Sequence, residues 1–245
     1  MLNVYTMILK HQCMRYNTFL RINKIIEAIK DYKYLLNRGY NPISALNLIS
    51  NHYGLSKRER LAIYRSIHDD KTVSNILKKK VKPENLSSDI IVIDGFNVLI
   101  TLKAAITCQQ LIKGDDGFLR DILGVFGHVR YDSNFFKAVY YLAFSLNLLD
   151  VVDVVIVFDK NVKWSKLYSD MVRKIVSIYT PYTRVVLAAK SDKKILSMNG
   201  IKASSDIVIL MGADKIFDLA GYIIVHYMRY DNIVDFSNPK LVINI

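Results

Sequence analysis

The sequence predicts an α/β protein with an open, mostly parallel sheet flanked by helices and preceded by a small all-α region. Three observations support this fold class. Helical periodicity dominates the first third of the chain, a polar stretch with a proline follows, and short β-branched runs then alternate with longer apolar segments. We therefore predict two domains, a basic helical one with its linker over residues 1–85 and an α/β one over residues 86–245.

The first helices are indicated by apolar spacing and by capping residues. Apolar side chains at steps of three and four residues predict a helix over residues 21–38, which Gly39 ends. Asn41 before Pro42 is typical of an N-cap followed by proline in the first turn, and it predicts a second helix through about Ser50.

A third helix is predicted where Ser56 and Glu59 form the pattern of a capping box. With its short turn, the pair of helices resembles a helix-turn-helix unit. The basic side chains of the third helix, which we predict to contact nucleic acid, are Lys57, Arg58, Arg60 and Arg65. The pattern also fits a plain helical hairpin with a solvated basic face, and phosphate contact is compatible with both interpretations.

Residues 69–89 are polar, rich in lysine and interrupted by Pro83, which is typical of a linker. Beyond them the pattern changes to alternating strands and helices. The predicted strands cover residues 89–93, 151–158, 184–189 and 201–204. The predicted helices cover residues 134–149 and 164–178, and the apolar segment 217–228 is left without a type.

The charge of the chain favours a polyanionic partner. The net charge is +12, and residues 1–90 hold 16 Lys and Arg against 7 Asp and Glu. A basic surface attracts phosphate polyanions and gains affinity by releasing counterions. We therefore expect nucleic acid as a partner, with RNA preferred to DNA.

Composition also excludes several classes of protein. The apolar runs are far shorter than the roughly 18 residues of a membrane span. Cys13 and Cys108 have no motif spacing, which predicts free thiols in a reducing compartment, and hence the cytoplasm, rather than a disulfide or a zinc site. The motifs of P-loop NTPases and serine hydrolases are missing from the sequence.

Aspartates follow three of the predicted strands. Asp94 ends the first, Asp159 ends the second, and Asp206 follows the short fourth strand. Because ligands bind at the carboxyl ends of parallel strands, we expect these side chains to converge. Neighbouring carboxylates repel one another unless a cation neutralises them, and Mg²⁺ or Mn²⁺ suits their oxygens. The sequence therefore predicts a divalent-metal site at this edge.

Two further acids, Asp115 and Asp116, lie in a loop ahead of a predicted helix that contains Arg120 and Asp121. They are additional candidates for binding a metal ion. Each aspartate also has a structural interpretation, because Asp is common in turns and at helix N-caps. Only the joint placement of the acids at successive strand ends favours a metal site.

The segment Ile93-Asp94-Gly95-Phe96-Asn97 resembles the Asp-Gly-x-Asn opening of the NYN branch of PIN-like nucleases. Ser204-Ser205-Asp206 is similar to the Ser/Thr-x-Asp element that begins a late helix in PIN domains. More widely, residues 93–118 and 217–221 resemble a family of uncharacterised archaeal PIN-like proteins, whose members also carry a helical N-terminal region. The family resemblance covers most of the chain, although its motifs are short.

The resemblance implies a metal-dependent ribonuclease with Mg²⁺ or Mn²⁺ as cofactor. Its expected metal ligands are Asp94, Asp115, Asp116, Asp159 and Asp206, all but Asp115 also being expected catalytic residues. The expected supporting residues are Asn97, Ser204 and Ser205. Asn97 would hydrogen-bond Asp94 through its side chain. Further predicted nucleic-acid contacts are Arg120, Arg130, Lys160 and Lys163, with Trp164 or Tyr131 stacking on a base. A homodimer is left open.

The sequence departs from the PIN pattern in one respect. No acid occurs between Asn97 and Ile106, where PIN nucleases usually carry one on a helix. An alternative hypothesis is therefore a non-catalytic nucleic-acid-binding protein with a degenerate PIN-like scaffold. A phosphatase-like enzyme ranks last, because Phe96 stands where its second aspartate would be expected.

Overall fold

The computed structural model of the protein describes Leu20, residues 22–122 and residues 132–237. Its helices are α1 (Ile22–Asn37), α2 (Pro42–His52), α3 (Lys57–Ser66), α4 (Asp70–Lys79), α5 (Gly95–Ile106), α6 (Ser133–Leu148), α7 (Ser165–Val176), α8 (Ser191–Leu196), α9 (Ile207–Gly212) and α10 (Leu219–Tyr222). Its strands are β1 (Ile91–Asp94), β2 (Leu111–Lys113), β3 (Leu119–Asp121), β4 (Asp153–Asp159), β5 (Tyr182–Ala188), β6 (Ile201–Ala203) and β7 (Ile233–Asp235). A short 3₁₀ turn covers Pro83–Asn85, and a π-helical turn covers Ile223–Tyr227.

The caps of the front helices confirm the sequence-based predictions. The side chain of Asn41 accepts hydrogen bonds from the backbone nitrogens of Ile43 and Ser44 at the start of α2. Ser56 and Glu59 form both hydrogen bonds of the capping box at the start of α3. These bonds satisfy backbone N–H groups that have no partner within the helix, so each helix begins at its capping residue.

The predicted linker over residues 69–89 is wrong in its first half, which forms α4. Asp69 caps this helix by accepting a hydrogen bond from the backbone nitrogen of Thr72. Ile76 is fully buried in a cluster with Phe118 and Ile216. The polar composition of the segment therefore describes only its solvent side, while one buried face holds the helix against the α/β part.

The main sheet is parallel and has the strand order β5-β4-β1-β6. In the register of the sheet, Ile93 lies opposite Ile156 on β4 and Ala203 on β6. Because all four strands run in the same direction, their carboxyl ends meet at one edge. The α/β fold class is confirmed. Apart from the helix predicted around Arg120, the predicted strands and helices of this part are present with bounds shifted by no more than two residues.

Helices cover both faces of the main sheet. Ile93 and Ile156 belong to a large core with α5, α6 and α7, whereas Val92 and Val155 point into a smaller core with α8 and α9. Alternate residues of a strand point to opposite faces, so continuous β-branched runs are needed where both faces are buried.

A second sheet has the order β3-β2-β7, with β2 antiparallel to β3 and parallel to β7. The predicted helix around Arg120 is therefore wrong, since that residue lies in β3. The front helices share a hydrophobic core with this sheet through Ile112, Val234 and Phe236. The helical part consequently packs directly on the α/β part.

The prediction of free thiols is contradicted at Cys108, which is disulfide-bonded. Cys13 lies outside the described residues. Sequence spacing alone carries no information about whether Cys108 is bonded, because the tertiary fold decides which groups lie beside a sulfur atom. The argument for a reducing compartment fails with it. No helix in the described part of the chain combines the length and apolar character needed to cross a membrane.

Candidate functional site

Asp94 is held at the carboxyl end of β1 by contacts from two directions. Its Oδ1 accepts a hydrogen bond from the backbone nitrogen of Asn97 at 3.4 Å, so it also caps α5. Its Oδ2 accepts a hydrogen bond from the hydroxyl of Ser204 at 3.0 Å. Since Ser204 directly follows β6, the carboxylate joins the ends of two neighbouring strands.

Gly95 is required where the chain passes directly from β1 into α5. A Cβ atom at this position would lie 2.5 Å from the ring of Phe158, which is fully buried in the core. Only glycine allows the helix to begin immediately after Asp94 at this distance from β4. This contact gives a physical reason for the Asp-Gly pair.

The side chain of Asn97 does not make the hydrogen bond to Asp94 that the sequence led us to expect. Its Oδ1 accepts instead from the backbone nitrogen of Ser205 at 2.9 Å and from the Ser205 hydroxyl at 3.1 Å. The bond to the Asp94 carboxylate comes from Ser204. The three supporting residues thus form one hydrogen-bonded group between the start of α5 and the end of β6.

Asp206 lies next to this group. Its backbone nitrogen donates to the hydroxyl of Ser204 at 3.1 Å, and its carboxylate accepts from the backbone nitrogen of Val208 at 2.8 Å. The pKa of Asp94 is raised to about 7, mainly by burial and in part by the charges of Asp206 and Asp192. Asp94 therefore lies within electrostatic reach of two other carboxylates.

Asp192, in the first turn of α8, is an acid of this edge that sequence reasoning missed. Burial raises its pKa, and the charges of Asp206 and Asp159 add to the effect. Asp159 ends β4 and accepts a hydrogen bond from the backbone nitrogen of Asn161 at 2.8 Å. The sequence could have indicated Asp192, because α8 follows the end of β5 and acids after parallel strands are expected at this edge of the sheet.

The four aspartates, Asp94, Asp159, Asp192 and Asp206, are linked by charge, although they do not meet at one point. Among residues 22–122 and 132–237, no group of three or more His, Cys, Asp or Glu side chains is placed so that it could hold a metal ion. Their oxygens, with the nearby serine hydroxyls, are hard donors of the kind that Mg²⁺ and Mn²⁺ accept, often with water molecules between ion and protein.

Asp115 and Asp116 are bound to cationic side chains of the protein. The carboxylate of Asp116 accepts from both terminal nitrogens of Arg120, at 2.8 and 2.5 Å, and both side chains are almost fully buried. Asp115 accepts from Lys33 at 2.8 Å and from the backbone nitrogen of His68 at 3.0 Å. In this arrangement Asp115 joins the α/β part to the front helices, whereas Asp116 is paired within the α/β part.

Arg120 was predicted to contact nucleic acid, and its position in the structure contradicts this prediction. It is only 1% exposed, and its Nε donates to the carbonyl oxygen of Ser205 at 3.2 Å. A guanidinium enclosed in this way has no surface to offer a phosphate. Arg120 instead holds the loop after β6 in place. Through Arg120, Asp116 is connected to the residues around Asp94.

The other predicted nucleic-acid contacts are distributed over two surfaces. On the front helices, Lys57 and Arg58 are exposed, whereas Arg60 donates to Asn51 and Arg65 donates to the carbonyl oxygen of Asp121. Arg130 and Tyr131 lie outside the described residues.

The second basic surface follows Asp159 in the chain. Lys160 and Lys163 are exposed there. Trp164 is 61% exposed and has a left-handed backbone with φ of 67°. The Nζ of Lys163 lies 5.4 Å from the centre of the tryptophan ring. A bulky residue in this conformation is uncommon and is often found at functional sites.

Comparison with known proteins finds similarity over most of the chain. A family model described as a domain of unknown function, DUF5616, matches residues 83–222, and one described as a protein of unknown function, DUF434, matches residues 24–79. The chain is 34% identical over 186 residues to the uncharacterized protein MJ0935 of Methanocaldococcus jannaschii, covering 76% of this chain and 88% of that relative. No solved structure matches the chain.

Proposed function

The chain belongs to the family described as a domain of unknown function, DUF5616, and from its own site we propose that it is a divalent-metal-dependent nuclease that hydrolyses RNA phosphodiester bonds. The observation that carries the proposal is the position of Asp94 at the carboxyl edge of a parallel sheet, where Ser204 hydrogen-bonds both the Asp94 carboxylate and the backbone of Asp206. The charges of Asp206 and Asp192 raise the pKa of Asp94 there. A buried carboxylate whose pKa is raised by neighbouring carboxylates indicates a place where a cation is favoured.

We propose that Asp94, Asp159, Asp192 and Asp206 hold Mg²⁺ or Mn²⁺, in part through water. When bound, such an ion activates water and stabilises negative charge on a phosphodiester. The chain's own contribution is orientation. Ser204 holds one oxygen of Asp94, and Asn97 holds Ser205, so the direction of the central carboxylate depends on the β6 loop.

Asp115 and Asp116 have a different part in this proposal from the one expected of them. Because the Asp116 carboxylate is occupied by Arg120, it supports the site by fixing that guanidinium against Ser205. Asp192 takes the place of the missing acid of the PIN pattern. The expectation that Asp115 and Asp116 bind a metal ion stays a prediction.

The proposed RNA path runs along the loop that follows Asp159. Exposed Lys160 and Lys163 offer positive charge to the phosphates, and exposed Trp164 offers a ring on which a base can stack. Base stacking of this kind is favourable for single strands of any sequence. The net charge of +12 supports the same class of partner.

The test is a calorimetric titration of the protein with Mn²⁺ in parallel with an RNA cleavage assay. We expect the wild type to bind Mn²⁺ and cleave single-stranded RNA, and Asp94→Asn and Asp192→Asn to lose both properties. Asp153→Asn is the matched control, since Asp153 lies at the opposite end of the strand that ends in Asp159. Mn²⁺ binding that all three variants retain would refute the proposed site.

One observation favours a second candidate function, a nucleic-acid-binding protein without catalysis. The four acids do not form a group that could hold a metal ion within the described residues. This candidate predicts RNA binding that neither Mn²⁺ nor Asp94→Asn changes, with no cleavage. The Mn²⁺ titration and the cleavage assay, together with a measurement of RNA binding, therefore separate the candidates.

A further inference from the structure

A cavity of about 360 Å³ lies between the front helices and the acidic edge. Its wall on the helical side includes Leu61 and Tyr64 of α3 and Thr72 of α4. Its other wall includes Ser205 and Asp206, which belong to the candidate site. The volume falls in the range of about 300–1,000 Å³ that is typical of small-ligand pockets. The cavity is therefore continuous with the proposed site and large enough for a ligand group.

The chemistry of the walls favours a planar, neutral group. Leu61 and several other aliphatic side chains are apolar, and Tyr64 is 43% exposed, so part of its surface is free for a partner. Thr72 and His68 add a small number of polar atoms. Apolar and aromatic walls with a few hydrogen-bonding groups are the usual surroundings of a bound nucleobase.

The charges of the cavity disfavour a phosphate inside it. Asp69 and Asp206 both line the cavity, and their carboxylates, which also cap α4 and α9, place negative charge there. The two arginines of the wall are already engaged, Arg65 with the carbonyl oxygen of Asp121 and Arg120 with Asp116. An anion would meet repulsion here, whereas a base is uncharged and carries N–H donors that carboxylates accept.

We infer that this cavity receives one unstacked nucleotide of the RNA, with its base inside the cavity and its phosphate outside, toward the acidic edge. The inference rests on the proposed function for the identity of the polymer. It adds that the helical part of the chain takes part in substrate choice by enclosing a base beside the site of cleavage, rather than only by attracting phosphates.

The test measures the binding of fluorescein-labelled homopolymeric single-stranded oligoribonucleotides by anisotropy, in a buffer with a chelator that suppresses cleavage. Leu61→Trp fills the cavity, and Tyr64→Ala removes the exposed ring. The matched controls are Leu48→Trp and Tyr40→Ala, whose side chains are 58% and 54% exposed and do not line the cavity. Thermal denaturation verifies that each variant folds. If Leu61→Trp does not fold, Tyr64→Ala still tests the inference.

We expect both cavity variants to weaken binding about fivefold or more, the effect of losing one stacked base. Because the cavity should select among bases, we also expect the wild type to differ in affinity among homopolymers and both cavity variants to lose this difference. The controls should bind as the wild type does. Equal binding by Tyr64→Ala and the wild type, or a wild type that binds no oligoribonucleotide, overturns the inference.

The inference and the proposed function fail in different ways. If Mn²⁺ binds and RNA is cleaved but the cavity variants bind RNA normally, the nuclease proposal is supported and the base pocket is refuted. If Mn²⁺ does not bind but Tyr64→Ala still weakens RNA binding, the base pocket is supported and the nuclease proposal is refuted.

Discussion

The side-chain oxygen of Asn97 accepts two hydrogen bonds from Ser205, at 2.9 Å from its backbone nitrogen and at 3.1 Å from its hydroxyl. The preceding residue, Ser204, donates to Asp94, and Arg120 donates to the carbonyl oxygen of Ser205. The start of α5 is thus joined to the loop after β6 at adjacent positions. Asn97 acts on Asp94 through this loop and not by direct side-chain contact.

Asn97→Ala should destabilise the protein and weaken metal binding together. The change leaves the Ser205 donors without an acceptor, which costs about 1–3 kcal/mol in unfolding free energy. Loss of an orienting group typically lowers metal affinity by about 10–100-fold. Urea denaturation and Mn²⁺ titration measure the two effects. Asn97→Asp keeps an acceptor oxygen and should recover part of the stability, and exposed Asn85→Ala is the control. Unchanged Mn²⁺ affinity in Asn97→Ala would contradict the role of the loop.

Asp94→Asn should stabilise the metal-free protein in a pH-dependent way. Burial and neighbouring acids raise the pKa of Asp94 from 3.8 to about 7. Below pH 3.8 the carboxyl is neutral in both folded and unfolded chains, so the variant and the wild type should be equally stable. Above it the unfolded chain ionises first, and at about 1.4 kcal/mol per pKa unit a penalty of about 4 kcal/mol develops by neutral pH.

The measurement is the free energy of unfolding of both proteins from about pH 4 to about pH 8, with and without Mn²⁺. We expect the Asp94→Asn variant to be more stable than the wild type without metal at neutral pH. Mn²⁺ should stabilise only the wild type, since a ligand stabilises the state that binds it. A wild type that is more stable than the variant at neutral pH without metal would show that Asp94 is a structural carboxylate.

Breaking the pair of Asp116 and Arg120 should be among the most damaging changes in the molecule. Arg120→Ala leaves a buried carboxylate unpaired, which costs about 3–5 kcal/mol. Burial by itself would raise the pKa of Asp116, but the charge of Arg120 holds that pKa below its usual value. The pair therefore contributes stability above pH 3.8, and this contribution is lost as the pH falls through the lowered folded-state value.

Equilibrium unfolding at neutral and acidic pH verifies this prediction. Replacing both residues by the apolar pair Asp116→Leu and Arg120→Met should cost less than either single change, because no charge is left unpaired. Additive effects of the single changes would mean that the two residues do not act as a pair.

Gly95→Ala should lower the unfolding free energy by about 1–3 kcal/mol, because the added Cβ requires the buried Phe158 ring to move. Thermal denaturation measures the loss. Phe158→Leu makes room on the other side and should reduce the cost of Gly95→Ala when the two are combined. Equal costs in both backgrounds would exclude this contact as the reason for the glycine.

Local signals made much of the fold predictable. Asn41, Ser56 and Glu59 identify helix starts because a capping bond is formed within a few residues. The strand and helix alternation after residue 89 follows from side-chain periodicity, which the backbone geometry determines directly. The placement of Asp94 at a strand end was predictable for the same reason.

The parts of the site that sequence reasoning missed have different causes. Asp192 was overlooked, although it lies soon after the end of β5, at the same edge of the sheet where Asp159 ends β4. Asp116 was assigned to a metal because its partner Arg120, four residues away, was predicted to lie in a helix, whereas the turn between β2 and β3 brings the two side chains together in the interior. Likewise α4 was predicted as linker, because the surface that buries Ile76 is supplied by segments far along the chain.

By itself, the sequence determined the α/β alternation, the helix caps and an acid at the end of β1. Only the tertiary structure decided which carboxylates remain near Asp94, which are bound to Arg120 and Lys33, and that Cys108 is disulfide-bonded. The physical reason is one of range. Periodicity and capping act over a few residues, whereas the charge, burial and partners of a side chain are determined by whatever the fold brings beside it.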